Sequence, residues 1–339
     1  MSKRMGKQTV KLETPVTILA SAAIAGQKEK DGPLGDYFDV TMENAEWNEE
    51  TWEKTESKMQ KEAVKLAVQK ARLDLSDMNY VLAGDLLNQC IGAGFGLREL
   101  NIPFFGIYGA CSTMIEGLSL GSMLIDGGFA DHVAAVTSSH FCTAERQYRM
   151  PLEYGGQRTP TAQWTVTGSG SAVLGKDGTG PAITHITTGK IMDMGVKDAN
   201  NMGGAMAPAA FDTLAAHFRD TGLTPADYDL ILTGDLGTVG REILVDLMHQ
   251  EGWDISDNYN DCGCMIYDID RQDVHAGGSG CGCIGSTLCG YVLTEMHRGT
   301  WKRILAIGTG ALLSTTSGLQ GESVPAIAHL VAISMGGKE

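Results

Sequence analysis

One stretch of this chain occurs twice. Leu73-Asp74-Leu75-Ser76-Asp77 ahead of Tyr80-Val81-Leu82-Ala83-Gly84-Asp85-Leu86 returns as Leu223-Thr224-Pro225-Ala226-Asp227 ahead of Leu230-Ile231-Leu232-Thr233-Gly234-Asp235-Leu236, at a constant offset of 150 residues. Two further pairs follow in the same order. Gly109-Ala110-Cys111 is mirrored by Gly278-Ser279-Gly280-Cys281, each opening an apolar segment, and Val133-Ala134-Ala135-Val136-Thr137 is mirrored by Ile304-Leu305-Ala306-Ile307-Gly308. Three matched elements in one order mean two copies of a βα unit, placed here at 1–180 and 181–339. The strands read as continuous apolar runs alternating with helices, which predicts an α/β fold with mostly parallel sheets covered on both faces. Two such halves with equivalent buried helices make a duplicated αβαβα five-layer sandwich, with Cys111 and the turn at 277–283 meeting from opposite halves.

In chain order, a strand is expected over 8–19, a loop over 26–36 and a helix over 49–72, where Met59, Ala63, Leu66, Ala67 and Lys70 recur at helical spacing. A turn at 73–78 leads to a strand over 80–86, a glycine-interrupted helix over 91–100 and a strand over 102–108. The buried helix after Cys111 stops at Gly127-Gly128, and the strand over 133–138 ends on Ser138-Ser139-His140. A polar loop, 141–163, carries Glu145, Arg146, Arg149, Glu153, Tyr154, Gln157 and Arg158. A strand over 165–174 with small residues closes the first copy.

Composition excludes several function classes. With a net charge of -15 and no compact Lys/Arg stripe, nucleic acid is not a partner, and an anionic ligand needs a local positive site. Eight irregularly spaced cysteines do not form a secreted disulfide framework and point to a reducing compartment. Cys262-x-Cys264 and Cys281-x-Cys283 lack zinc-ribbon spacing, and their glycine-rich flanks suit packed turns, so neither metal nor cofactor is expected. No apolar run is long enough to span a membrane. The basic start and the apolar 14–25 stretch faintly mimic a secretory signal, but Lys11 and Glu13 intrude, so a core strand is expected there.

The residues with most chemical promise surround Cys111. A strand ends, small residues turn, and a thiol stands where a buried helix begins, which is either a nucleophile seat or an anion seat. Glu116 is the only charge in the helix run 115–125 and is expected to pair with a hidden donor. Asp85 and Asp235 at the matched strand tips read as turn or cap residues. His140, His275 and His329 border strands beside glycine or serine; His132, His185, His217, His249 and His297 read as structural or solvated.

These residues resemble the thiolase superfamily over nearly the whole chain. Ala110-Cys111-Ser112 is similar to its acyl-accepting cysteine motif, and Thr167-Gly168-Ser169-Gly170-Ser171-Ala172-Val173 to its glycine-rich strand. Within that superfamily, seven blocks resemble the stage V sporulation protein AD family: Lys28-Glu29-Lys30-Asp31-Gly32-Pro33-Leu34-Gly35, Ala83-Gly84-Asp85-Leu86-Leu87-Asn88-Gln89, Gly109-Ala110-Cys111-Ser112-Thr113, Thr137-Ser138-Ser139-His140 with Thr143-Ala144-Glu145-Arg146-Gln147, Glu153-Tyr154-Gly155-Gly156-Gln157, Ala205-Met206-Ala207-Pro208-Ala209-Ala210 and Ala276-Gly277-Gly278-Ser279-Gly280-Cys281. The resemblance implies a thiolase-like fold, binding of dipicolinic acid, with calcium as its companion, and a part in its movement across the inner forespore membrane of an endospore. It also implies membrane-protein partners of the same transport complex, peripheral attachment through them, and a homodimer paired through a sheet edge.

Thiolase-type condensation needs a thiolate and imidazole or amide donors for the developing oxyanion. In the enzymes this chain resembles, a histidine follows the first strand of the second half; here Asp235 stands there, and a carboxylate repels an enolate. The expectation is therefore a binder without condensing activity. Its ligand residues are expected among Cys111, Ser112, Ser139, His140, Arg146, Arg149, His275, Ser279 and His329, with Cys111 as the nucleophile if the protein is instead an acyltransferase or ketoacyl synthase-like enzyme. A structural subunit of a membrane complex is the third reading.

Overall fold

The computed structural model describes residues 3–148 and 158–336. The first half contributes β1 (Thr9–Ala25), a short β2 (Val40–Thr41), β3 (Tyr80–Gly84), β4 (Phe104–Gly106), β5 (His132–Ser139), the two-residue β6 (Trp164–Thr165) and β7 (Gly168–Gly175). The second contributes β8 (Pro181–Thr187), β9 (Leu230–Thr233), β10 (Tyr259–Asp261), the two-residue β11 (Gly278–Ser279), β12 (Arg303–Ala311) and β13 (Ala326–Met335).

The duplication is visible in the sheet order. Strands run β4-β3-β5-β7-β1 in the first half and β10-β9-β12-β13-β8 in the second, the same order of equivalents. Antiparallel pairing of β1 with β8, from Thr9–Thr187 to Thr17–Ala182, joins the halves into one sheet. The expectation of mostly parallel sheets is corrected. β3 with β4 and β5, β9 with β10 and β12, and the two-residue pairings of β2 with β1 and of β6 with β11 are parallel, while the long pairings in β5-β7-β1 and β12-β13-β8 are antiparallel. The reason is that strands buried on both faces read as apolar runs whatever their direction.

Alternation along each strand sorts side chains into layers. Leu82 of β3 faces the middle of the molecule, whereas Val81 and Ala83 face outward onto helix α2 (Trp52–Lys70). Three smaller helical elements follow or flank it: α1 (Gln27–Lys30) before it, then α3 (Ile91–Leu97) and the central α4 (Thr113–Asp126). In the second half, α6 (Met202–Thr221) and α7 (Gly237–Gln250) cover the outer face, and the one-turn helix α8 (Cys262–Met265) follows β10. Helix α9 (Cys281–Ser286) continues through a π-helical stretch, Thr287–Val292, into α10 (Leu293–Arg298). The middle layer is α4 with α9 and α10: Met114, Ile115 and Leu118 share one core with Ile284, Leu288, Val292 and Met296. The order is therefore helix, sheet, helix, sheet, helix.

The layers meet at glycine. A β carbon on Gly170 would stand 1.9 Å from the Gly285 carbonyl oxygen, so β7 and α9 touch backbone to backbone. One sequence expectation fails nearby: Phe141–Tyr148, read as the start of a polar loop, forms helix α5. Its buried face is only Thr143, Ala144 and Glu145, too short an apolar stripe to show in a periodicity count. Arg149, Glu153, Tyr154 and Gln157 lie outside the described residues.

Candidate functional site

Cys111 is placed by strain. Ala110 takes a left-handed φ of 49°, Ser112 turns back to donate from Oγ to the Gly109 carbonyl at 2.7 Å, and α4 then begins at Thr113. Non-glycine residues rarely adopt that backbone. The turn buries the thiol against Leu86 and Cys281.

Asp235 comes from the other half. It is 1% exposed; Oδ1 accepts from Thr309 Oγ1 at 2.7 Å and Oδ2 from the Gly280 N–H at 2.9 Å, and the Cys111 thiol hydrogen-bonds the same carboxyl. Burial pushes Asp235 up to about 7 against the ordinary 3.8, with the Thr309, Gly280 and Cys111 hydrogen bonds working the other way. The Cys111 thiol is driven well above its usual range, by burial first and then by the charge of Asp235. A thiolate beside a carboxylate is doubly disfavoured, so Cys111 is a neutral thiol that donates a hydrogen bond.

A second buried network lies behind it. The Cys281 thiol donates to the Ser138 carbonyl at 2.9 Å; Ser138 Oγ donates to Glu56 Oε1 at 3.0 Å, and Thr143 Oγ1 to Glu56 Oε2 at 2.7 Å. Burial raises Glu56 to about 8, helped by the Asp85 charge, and raises Asp85 to about 6. Glu116 lacks the expected hidden donor: its Oε2 is buried without a hydrogen-bond partner, and burial raises its pKa.

Above Cys111 the Tyr148 hydroxyl donates to the Leu86 carbonyl at 2.5 Å and hydrogen-bonds Tyr108. Outside this cover is a cleft of about 390 Å³ between the strand tips of the two halves, lined by 86–90, Tyr108, Gln147, Tyr148 and 312–316. Such crevices beyond strand carboxyl ends are where open α/β sheets place ligands.

The structure brings together some of the sequence candidates. Cys111 meets the turn that carries Ser279, whose backbone pairs with Thr165; Ser139 buttresses that turn, accepting the Gly282 N–H at 3.0 Å and donating to the Val166 carbonyl at 2.7 Å. Others lie elsewhere. His140 spends both ring nitrogens locally, on the Ala45 carbonyl at 2.9 Å and the Cys142 N–H at 3.1 Å, and burial lowers its pKa. His329, lowered to about 4 by burial, accepts the Gly189 N–H at 3.3 Å. His275 stands 3.2 Å from Asp273, and Arg146 pairs with Glu53 at 2.8 Å over the Trp52 ring, not with Glu145. Arg149 lies outside the described residues.

Sequence reasoning missed Thr309, Tyr108, Tyr148 and Glu56. Thr309 had a signal: it follows the mirrored Gly308 and matches Ser138 in the first copy. The eight cysteines are free, and among the described residues no group of three or more His, Cys, Asp or Glu is arranged to hold a metal ion. Among those residues no helix is long and apolar enough to cross a membrane.

Comparison with known proteins agrees with this architecture. The family model for Stage V sporulation protein AD (SpoVAD) matches residues 6–334. Stage V sporulation protein AD of Bacillus subtilis (strain 168) is 46% identical over 335 residues, covering 99% of each chain. Among solved structures, Xanthomonas campestris OleA with bound lauric acid and lauroyl-CoA superposes with a TM-score of 0.63 at 12% identity, covering 95% of this chain and 99% of that one. The 3-oxoacyl-[acyl-carrier-protein] synthase III of Aquifex aeolicus VF5 gives 0.56 at 13% identity, covering 95% and 99%. At such identities these two show the thiolase-like fold alone.

Proposed function

The chain belongs to the Stage V sporulation protein AD family, and from that premise we propose that it is a non-catalytic thiolase-fold protein that binds dipicolinic acid in the cleft above Cys111. In this reading it serves the calcium-linked uptake of that acid into the developing spore and its release on germination. One observation carries the proposal: Asp235 stands beside the only thiol at the head of α4 and holds it protonated. A condensing enzyme needs the opposite charge there, to stabilise a thiolate and an oxyanion.

The cleft suits a small polar ligand. Asn88, Gln89, Tyr108, Gln147, Thr315 and Thr316 line it with neutral donors, and among its lining residues none is cationic. In a chain of net charge -15 that lining favours the calcium chelate, whose metal neutralises both carboxylates, over the free dianion. A homodimer through the free edge of β4 is part of the proposal, since Phe104 and Phe105 are 42% and 49% exposed there. Membrane proteins of the same transport complex would hold the dimer peripherally at the spore inner membrane.

The test is dipicolinate calorimetry, with and without equimolar calcium, on wild type and Tyr108→Ala, beside lauroyl-CoA incubation followed by intact mass. Binding heat that grows with calcium and shrinks in Tyr108→Ala, without a mass adduct, is the expected result. A stable acyl adduct on Cys111 with no dipicolinate heat would return the acyltransferase reading, and neither signal the purely structural one.

A further inference from the structure

A second cavity lies away from Cys111, on the far side of His140, and holds about 170 Å³. Its walls are apolar: Met42, Ala45, Phe141, Cys142 and Trp164, with Gln27, Lys28 and Asn44 among its polar lining. Trp164 and Phe141 are stacked on each other at 3.7 Å with their planes 4° apart, which makes that wall of the slot a rigid aromatic pair. An apolar cavity of about 150 Å³ is enough to hold benzene, so this one has room for a single six-membered ring.

Lys28 supplies the charge. Its ammonium lies 4.0 Å from the centre of the Trp164 ring and donates to the Asp273 carbonyl at 3.2 Å, and among the described residues it makes no ion pair. The nearby carboxylates are already committed. Asp273 is taken by Arg158 Nη2 at 2.5 Å and approached by His275 at 3.2 Å, while the buried Glu29 binds the Tyr267 hydroxyl and accepts the Thr167 N–H at 3.0 Å. Arg158 also lies over Trp164, 4.7 Å from the ring centre. The nearby acids are engaged by these other partners, so among the described residues the Lys28 ammonium has no carboxylate of its own and stands beside a slot with room for a ring. The Lys28-Glu29-Lys30 block, prominent in the sequence, is not used by the cleft above Cys111.

We propose that the slot lined by Met42, Phe141 and Trp164 is a second binding site, which takes a small aromatic monocarboxylate with its ring in the slot and its carboxylate on Lys28 Nζ. The number of charges follows from the lining. One unpaired ammonium meets one carboxylate, whereas a second carboxylate on the ring would be carried against Met42 and the buried Glu29, and a buried unpaired charge is prohibitive. The site therefore discriminates against dipicolinate, the ligand of the cleft above Cys111, and does not depend on that assignment.

The probe is 4-fluorobenzoate, followed by 19F NMR line broadening on the full chain. Saturable binding is expected in wild type. It should weaken about tenfold or more in Lys28→Met, the loss of one charge-assisted hydrogen bond, and vanish in Ala45→Phe, which fills the slot. Excess dipicolinate should not displace the probe, and the dipicolinate heat of Lys28→Met should equal that of wild type. Should Lys28→Met melt several degrees lower, Lys28→Gln decides by the same criterion. No saturable binding in wild type, equal affinity in the lysine variants, or displacement by dipicolinate would each overturn the proposal. Loss of dipicolinate heat in wild type would instead sink the reading of the Cys111 cleft and leave this one standing.

Discussion

Asp85 and Asp235 occupy the same place in the two copies of the repeat and do different work. Asp85 serves its own half: it accepts the Leu87 N–H at 2.9 Å and the Ala93 N–H at 2.7 Å, holding the chain between β3 and α3. In the second half that local task has passed to Asp261 at the end of β10, which accepts the Leu236 N–H at 2.8 Å and the Gly237 N–H at 3.0 Å. Asp235 is thereby released to face the opposite half and Cys111. The thiols differ in the same way, since Cys281 donates to a neutral carbonyl and Cys111 to a carboxyl. Duplication supplied two equivalent helix starts; a transferred capping role made one of them acidic.

Removing each carboxylate in turn is the most direct way to break this comparison. Asp85→Ala strips the acceptor from two backbone N–H groups and should cost about 2–4 kcal/mol in urea unfolding. Asp235→Asn keeps an acceptor for the Gly280 N–H and turns its amide N–H toward the Thr309 hydroxyl, which can accept it, and should cost under about 1.5 kcal/mol. Equal losses would mean that the two residues are interchangeable caps.

A pH series sharpens the difference. Asp235 is raised from 3.8 to about 7 on folding. A carboxyl with a raised folded pKa contributes its full stability below the unfolded value and loses it as pH climbs through the folded one. Melting temperature should therefore fall between about pH 4 and pH 7. Asp235→Asn should flatten that decline, leaving the part due to Asp85 and Asp261, each raised to about 6, and Glu56, raised to about 8. An unchanged slope in the variant would contradict a buried, mostly protonated Asp235. The smallest expected effect is on reactivity. In Asp235→Asn at pH 8, iodoacetamide should label Cys111 about tenfold faster, one pKa unit's worth of thiolate, with labelling of Cys289, which Asp235 does not influence, unchanged by peptide mass.

Much of this was legible in the residues. The offset of 150 residues located β3 and β9 and the capping turns before them, where Asp77 and Asp227 bond back to Asp74 and Thr224. Asp235 was legible as the polar tip of β9 because it follows a recognisable strand at the matched offset, whereas its standing in place of an imidazole came from the resemblance to condensing enzymes. Helix α5 was lost because eight residues with a narrow buried face carry too little periodicity. Arg146 and His140 looked like ligand residues because polar groups after a strand tip are ambiguous: whether they meet a ligand or one another depends on packing, and here Glu53 and Ala45 reached them first.

By itself the sequence determined that the protein would be two copies of one layered unit with a thiol and an acid at matched turns, because apolar spacing and turn chemistry act over a few residues. Only the tertiary structure decided that Asp235, and not Asp85, would meet Cys111. That choice rests on Asp261 relieving Asp235 of its backbone duty and on glycine contacts that let the two halves close to hydrogen-bonding distance, and neither is written in any local pattern.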